Sequence, residues 1–272
     1  MQQTTREDDA LDASLIDLVV RRLSASDGAI LDPSREAAMM RRIAAEWRSD
    51  VPAGVGLRMY RELIGAALRR HAPVSLHVAD SDRDICEAAR IHFGYAMPLT
   101  VYPTSSMVVQ TLADDRHAIG IVPAPTSDDG QAGWWSNLST PSGTGPRIVA
   151  KLPFFQGDGS PVRQPPCYVV ASVPVTASGD DTTLVVVFLR SEMSRPRLGQ
   201  VLKMTTLDAQ VIAMGRDQPE RSATRFLIEA AGHLSLTDSR LEALRAHGGE
   251  EIADVTIVGA YANPVVFGGS KS

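Results

Sequence analysis

Three charged side chains crowd the start of one segment. In Ile30-Leu31-Asp32-Pro33-Ser34-Arg35-Glu36 the residues Asp32, Arg35 and Glu36 stand three and four positions apart, a spacing that on a helix puts them on one face, where they can line a pocket. The plainer account of the same residues is helix-start chemistry. Asp32 caps free amides, Pro33 takes the first helical position and Arg35 pairs with an exposed acid. Other candidate chemistry is thin. The six histidines, His71, His77, His92, His117, His233 and His247, show no metal-ligand spacing, so no metal and no cofactor is expected. Gly143-Thr144-Gly145 lacks the Lys-Ser/Thr and the helix of a phosphate loop. Trp134-Trp135 fits either burial against an apolar patch or contact with a partner.

The elements that must hold this face follow from periodicity. Leu11, Leu15, Leu18 and Val19, widened by Ile16 and Val20, repeat at helical spacing, and Ser24 to Gly28 stops that helix. A second helix opens at Asp32-Pro33 with Met40, Ile43 and Trp47 on one stripe; a third runs from about Val55 to His71. Three helices on short connections bury little alone, so a homodimer is expected. After Ala72-Pro73 the pattern becomes α/β: strands at 74–78, 118–122, 148–152 and 168–173, with helices at 84–93 and 107–112. Residues 124–146 read as a long loop. Beyond Ser178 to Asp181, read as a linker, the order strand 184–189, helix 198–204, strand 209–213, strand 226–230, helix 239–247 and strand 255–258 spells βαββαβ, a ferredoxin-like sheet backed by two helices.

The 272 residues predict a multi-domain chain, α then α/β then α+β, in units 1–72, 73–177 and 178–272. A net charge of -5 gives no basic field for nucleic acid or an anionic membrane, leaving a small molecule or a protein as partner. Two cysteines, Cys86 and Cys167, offer neither a disulfide framework nor a CxxC site. With a polar, acidic start and no long apolar run, the expected location is the cytoplasm.

In this order the residues resemble the bifunctional chorismate mutase–prephenate dehydratase family with its C-terminal regulatory ACT domain. Residues 11–71 are similar to the helical mutase through Leu11-Asp12-xx-Leu15-Ile16-x-Leu18 and Asp32-xx-Arg35-Glu36. Residues 74–175 resemble part of the dehydratase, a truncated periplasmic-binding-like lobe, through Ala88-Ala89-xxx-Phe93-Gly94 and Gly120-Ile121-Val122-Pro123. Residues 182–265 resemble the ACT unit through Thr183-Leu184-Val185, Glu229-xx-Gly232-His233 and Val258-Gly259-Ala260-Tyr261.

The resemblance implies an isomerase of aromatic amino-acid biosynthesis that turns chorismate into prephenate by a pericyclic step. That step needs a dicarboxylate held compactly and charge on an ether oxygen stabilised. It assigns Arg22 and Arg35 to carboxylates, Asp32 and Glu36 to the hydroxyl region, Ala67 to the position of a binding serine and His71 to that of a glutamine beside the ether oxygen. A protonated His71 can donate there. Several family features are missing. Its N-terminal arginine falls at Thr5, with Arg6 one place off, and about ten residues between Leu23 and Asp32 are absent, roughly 15 Å of helix, together with the catalytic lysine. The dehydratase loop aligns with Ala79 to Ile85 and matches none of it, its asparagine is Thr126, and Pro166-Cys167-Tyr168 stands where its Thr-Arg-Phe triplet belongs; dehydratase activity is not expected. Thr224-Arg225-Phe226 spells that triplet in the ferredoxin-like region, where a sheet-edge Arg beside a core Phe is the expected role. The effector turn of the ACT unit reads Pro196-Arg197-Leu198, and its Glu-Ser-Arg-Pro stretch reads Met214-Gly215-Arg216-Asp217, which argues against phenylalanine binding. The rival expectation is a catalytically inactive homologue that binds a pathway metabolite or regulates a pathway enzyme.

Overall fold

A computed structural model describes residues 2–25, 31–48, 51–79, 83–125, 133–138, 145–157, 164–190, 193–216 and 224–267; side chains are described from residue 7 onward. Three helices come first: α1 (Gln2–Ser24), α2 (Pro33–Glu46) and α3 (Ala53–His71). An α/β region follows, with β1 (Ser75–Ala79), α4 (Arg83–Phe93), β2 (Leu99–Tyr102), α5 (Ser105–Asp114), β3 (Ala118–Pro123), β4 (Arg147–Leu152), β5 (Phe155–Gly157) and β6 (Cys167–Ala171). The last region is β7 (Asp181–Leu189), α6 (Arg195–Met204), β8 (Ala209–Arg216), β9 (Thr224–Ala231), α7 (Ser239–Gly248), β10 (Ile252–Ala262) and β11 (Val265–Phe267).

The expected βαββαβ order is present, and its strands lie as β10-β7-β9-β8, the ferredoxin-like arrangement. Its separation from the rest is not. β10 runs antiparallel to β7 on one side and parallel to β4 on the other, joining both regions in a nine-stranded mixed sheet, β2-β1-β3-β6-β4-β10-β7-β9-β8. At the seam Gly259 faces Ile148, and a Cβ on Gly259 would stand 2.2 Å from the Ile148 carbonyl oxygen. Only a bare backbone comes that close.

The first three helices do not form a body of their own. Met40 and Ala37 of α2 and Leu57 of α3 pack into the same core as Leu76, Ile121, Val149 and Val169 of the sheet, because an isolated three-helix layer leaves that apolar stripe in water. Arg41 of α2 fastens this layer to the Ser178–Asp181 crossing, donating to Ser178 O and Oγ at 3.0 Å and to Asp180 O at 2.7 Å. That crossing is ordered by its own acid: the amides of Ser178 and Gly179 donate to Asp181 Oδ2. On β7, Val185 and Val187 face α6 and α7, whereas Leu184 and Val186 face the opposite side with Trp134 and Trp135. Those two tryptophans, expected in a loop, form a short 3-10 turn (Trp134–Leu138) and are buried, the packing alternative. The strands β2, β5 and β11 had no expectation from the sequence.

Thr224-Arg225-Phe226 opens β9, which lies between β7 and β8 and is not a sheet edge. The expectation is corrected in that respect: the edge strand is β8. Phe226 is in the core and the Arg225 guanidinium lies 5.0 Å from the Phe188 ring centre, a packing role for the triplet.

The seam gives the first prediction. Gly259→Ala forces β10 away from β4 and lowers stability by roughly 1–3 kcal/mol, the usual range for overpacking a tight site, with urea denaturation as the measure; an unchanged midpoint means the two strands do not approach this closely.

Candidate functional site

The start of α2 is built as its sequence dictates. Asp32 caps it, Oδ1 accepting from Arg35 N at 3.0 Å, and Pro33 follows in the first turn. Ser34 ties the same turn to the segment that follows β6, its hydroxyl donating to Thr176 O at 2.6 Å. Asp32 and Arg35 are exposed, but Glu36 turns inward, so the triplet does not act in one direction. A helix face is wide, and the layer beneath decides which of its residues is covered.

Glu36 meets Arg61 of α3, with Oε2 and Nη1 2.5 Å apart and the Arg61 side chain 3% exposed. Burial pushes the Glu36 carboxyl up and the Arg61 guanidinium down, and the ion pair opposes both shifts. The rings of Phe154 and Phe155 lie 5.8 and 5.9 Å from the guanidinium carbon, a cation-on-ring enclosure that replaces some of the lost hydration. A cavity of about 20 Å³ adjoins the pair, bounded by Pro33, His92, Phe93 and Phe154, room for a single water. Neither Asp32 nor Arg35 lines it. His92 is buried there, and desolvation together with the Arg61 charge holds it well below its ordinary value.

The other residues singled out by the resemblance lie elsewhere. Arg22 is exposed at the end of α1, its guanidinium 5.8 Å from the Tyr60 ring centre. His71 is the exposed last residue of α3, about 16 Å along the helix from Tyr60. Ala67 is buried on α3. Of the dehydratase positions, residues 80–82 and Thr126 lie outside the described residues, as does Asp217 of the effector stretch. Cys167 is buried and its thiol is pushed up to about 12 by burial, which leaves it unionised and inert.

A second polar cluster, which the sequence reading missed, sits on the seam of the sheet. Glu229 Oε1 accepts from Lys151 Nζ at 2.9 Å, from the Tyr168 hydroxyl at 2.6 Å and from the Tyr261 hydroxyl at 2.7 Å, and Oε2 accepts from Gln210 at 3.3 Å. Burial pushes the Glu229 carboxyl up, but these hydrogen bonds and the ammonium outweigh it, so the group lies below the ordinary carboxylate range. Burial and the Glu229 charge raise both phenols. Each partner is on a different strand, and a lone acid in the apolar run Phe226-Leu227-Ile228-Glu229-Ala230 was the available signal. For Arg61 the signal was an arginine on the buried stripe of Leu57, Gly65 and Leu68.

With this geometry in hand, comparison with known proteins gives only a fold. No protein-family profile and no curated protein matches the chain. Among solved structures, the prephenate dehydratase of Staphylococcus aureus is similar with a TM-score of 0.50 at 10% identity, covering 69% of this chain and 100% of that one. The prephenate dehydratase of Streptococcus mutans scores 0.49 at 15% identity, covering 71% and 100%. A protein described as a novel type of quorum-quenching acylase, GqqA, scores 0.49 at 14% identity, covering 69% and 94%. The chain therefore has a mixed α/β fold of the prephenate dehydratase kind. At this identity the likeness carries nothing about activity.

Among the described residues no helix is long and apolar enough to cross a membrane, and no group of three His, Cys, Asp or Glu is placed to hold a metal. Two predictions follow from the buried acids. Arg61→Ala strands the Glu36 carboxylate and costs on the order of 3–5 kcal/mol, measured as a lowered denaturation midpoint, whereas Arg35→Ala stays within about 0.5 kcal/mol. Because the Glu229 pKa is depressed in the folded state, its contribution is present above the unfolded value near ~4.3 and is lost as pH falls through the folded one. Glu229→Gln accordingly flattens the acid limb of stability below the unfolded value, and an unaltered limb counts against an ionised Glu229.

Proposed function

We propose that this chain is a chorismate mutase-type protein of aromatic amino-acid metabolism whose role is binding: it holds chorismate or prephenate and regulates a pathway partner as a non-catalytic homologue of the chorismate mutase–prephenate dehydratases. The observation that carries this is the engagement of Glu36 by Arg61. The carboxylate that the resemblance assigns to the substrate hydroxyl is turned into the protein and paired there. Asp32 likewise has an oxygen committed to the cap. Of the residues the resemblance assigns to carboxylates, Arg22 and Arg35 are both exposed, and cations are what a dicarboxylate requires.

A second reading, a working mutase, is supported by a different observation. The apolar stripe of α1 is open: Leu11 is 68% exposed, Ile16 64% and Leu18 62%. A homodimer that covers this stripe brings side chains from a second copy toward Arg22. The rearrangement asks for no nucleophile or base, only a compact dicarboxylate and a donor to the ether oxygen. His71, when protonated, is the donor this reading assigns.

Both readings are tested with purified chain by following loss of chorismate absorbance from pH 5 to 8, beside calorimetric titration of chorismate. The expected result is binding that Arg35→Ala weakens about tenfold or more, the loss of one charged contact of roughly 1.4–3 kcal/mol, with no turnover at any pH. Turnover that rises toward acid pH and vanishes in Arg35→Ala establishes the mutase instead. Neither binding nor turnover removes both. Leu15→Glu with Leu18→Glu tests the dimer: light scattering is expected to show the wild type as two copies and the double variant as one.

A further inference from the structure

Away from the helical layer, β1 carries a constellation to which neither reading assigns a role. Ser75 and His77 alternate onto the face of β1 that α5 covers, opposite Leu76 and Val78. The Ser75 hydroxyl lies 3.2 Å from His77 Nε2, and Nδ1 of the same ring lies 2.8 Å from Thr111 Oγ1. Thr111 gives its own hydroxyl proton to Val108 O at 2.8 Å. Toward the imidazole it can then only accept. Nδ1 therefore carries the ring proton, Nε2 presents its lone pair, and the Ser75 hydroxyl donates to it.

A hydroxyl, a base within reach of it and a third group that fixes the tautomer of the base are the parts of an activated nucleophile. The Tyr102 ring lies against the imidazole, centres 5.0 Å apart and planes tilted by 35°. Burial keeps His77 below its ordinary value, Asp115 opposing in part, so the ring is neutral at pH 7 and able to take a proton. Ser75, His77 and Thr111 are each partly exposed, so a small reagent can reach them.

We propose that Ser75 is a nucleophile toward short-chain aryl esters, with His77 as its general base and Thr111 as the residue that orients the base. In the first step Ser75 Oγ bonds to the ester carbonyl carbon while its proton passes to Nε2. The bond between the acyl carbon and the aryloxy oxygen breaks, the phenoxide leaves with its electron pair and collects that proton. In the second step water attacks the acyl carbon, giving its proton to Nε2. Ser75 leaves with the electron pair, recovers the proton, and a carboxylic acid departs. A phenoxide is a good leaving group, so the reaction asks little oxyanion stabilisation of the protein.

The experiment incubates full-length protein with p-nitrophenyl acetate, follows nitrophenolate release and maps the adduct by peptide mass analysis. An acetyl group on Ser75 is expected in the wild type. Ser75→Ala is expected to show no burst while keeping the wild-type circular dichroism. In His77→Gln acetylation should slow by about 10²-fold or more, the usual contribution of a positioned base. Thr111→Val should slow it as well and Thr111→Ser, which retains the hydroxyl, should restore it. Acetylation confined to lysines, or Ser75 modified as fast in His77→Gln as in the wild type, overturns the proposal. Mapping of the wild-type protein decides the matter even where a variant fails to fold.

Discussion

One backbone pairing organises this protein: β10 occupies the position between β4 and β7. A strand edge in a protein interior must find a partner for its amides and carbonyls, since each unpaired group costs free energy comparable to a lost hydrogen bond. β4 pairs with β6 on one side and takes its other neighbour, β10, from the C-terminal region. The closeness at Gly259 and Ile148 follows from that pairing. So does the continuity of the apolar core facing Trp134 and Trp135, which takes Val170 and Tyr168 from one region and Leu184 and Leu227 from the other.

The same seam explains where the polar groups went. Glu229, Lys151, Tyr168 and Tyr261 come from four strands and meet where the two regions join. A carboxylate with three donors on one oxygen is held ionised in a low dielectric, and the four strands that supply donor and acceptor are fixed against one another. The Glu36–Arg61 pair plays a comparable part under α2 and α3, with aromatic rings closing over the guanidinium. Buried pairs of this kind specify one arrangement more than they stabilise it, because desolvation offsets most of the Coulomb attraction. In both clusters the ionised groups serve to fix how layers meet.

Such fixing bears on function. The helical layer carries Arg22 and Arg35 on its outside, Arg22 against Tyr60, while Asp32 is engaged by the cap and Glu36 by Arg61. On the opposite side of the sheet, the Ser75–His77–Thr111 chain of hydrogen bonds is independent of that layer. The two clusters lie on one sheet and share no side chain.

The helices of the N-terminal layer, the strand at Ala118–Pro123 and the βαββαβ order were legible in residue spacing, because 3.6- and 2-residue periods are properties of the chain alone. Asp32-Pro33 fixed the start of α2 by itself, since capping uses a side chain and an amide three residues apart. Short β2 and β11 carried too few residues for a period, and the burial of Trp134 and Trp135 inside a Gly/Ser/Pro-rich stretch has no local cause. What tertiary structure alone decided was direction and partnership: that Glu36 points in and Arg35 out, that Arg61 is its counter-ion, that Lys151 finds Glu229, and that β10 closes on β4. Each of these pairs residues at least 25 positions apart, and a sequence states what a residue can bond but not which distant residue the packing of layers will bring to it.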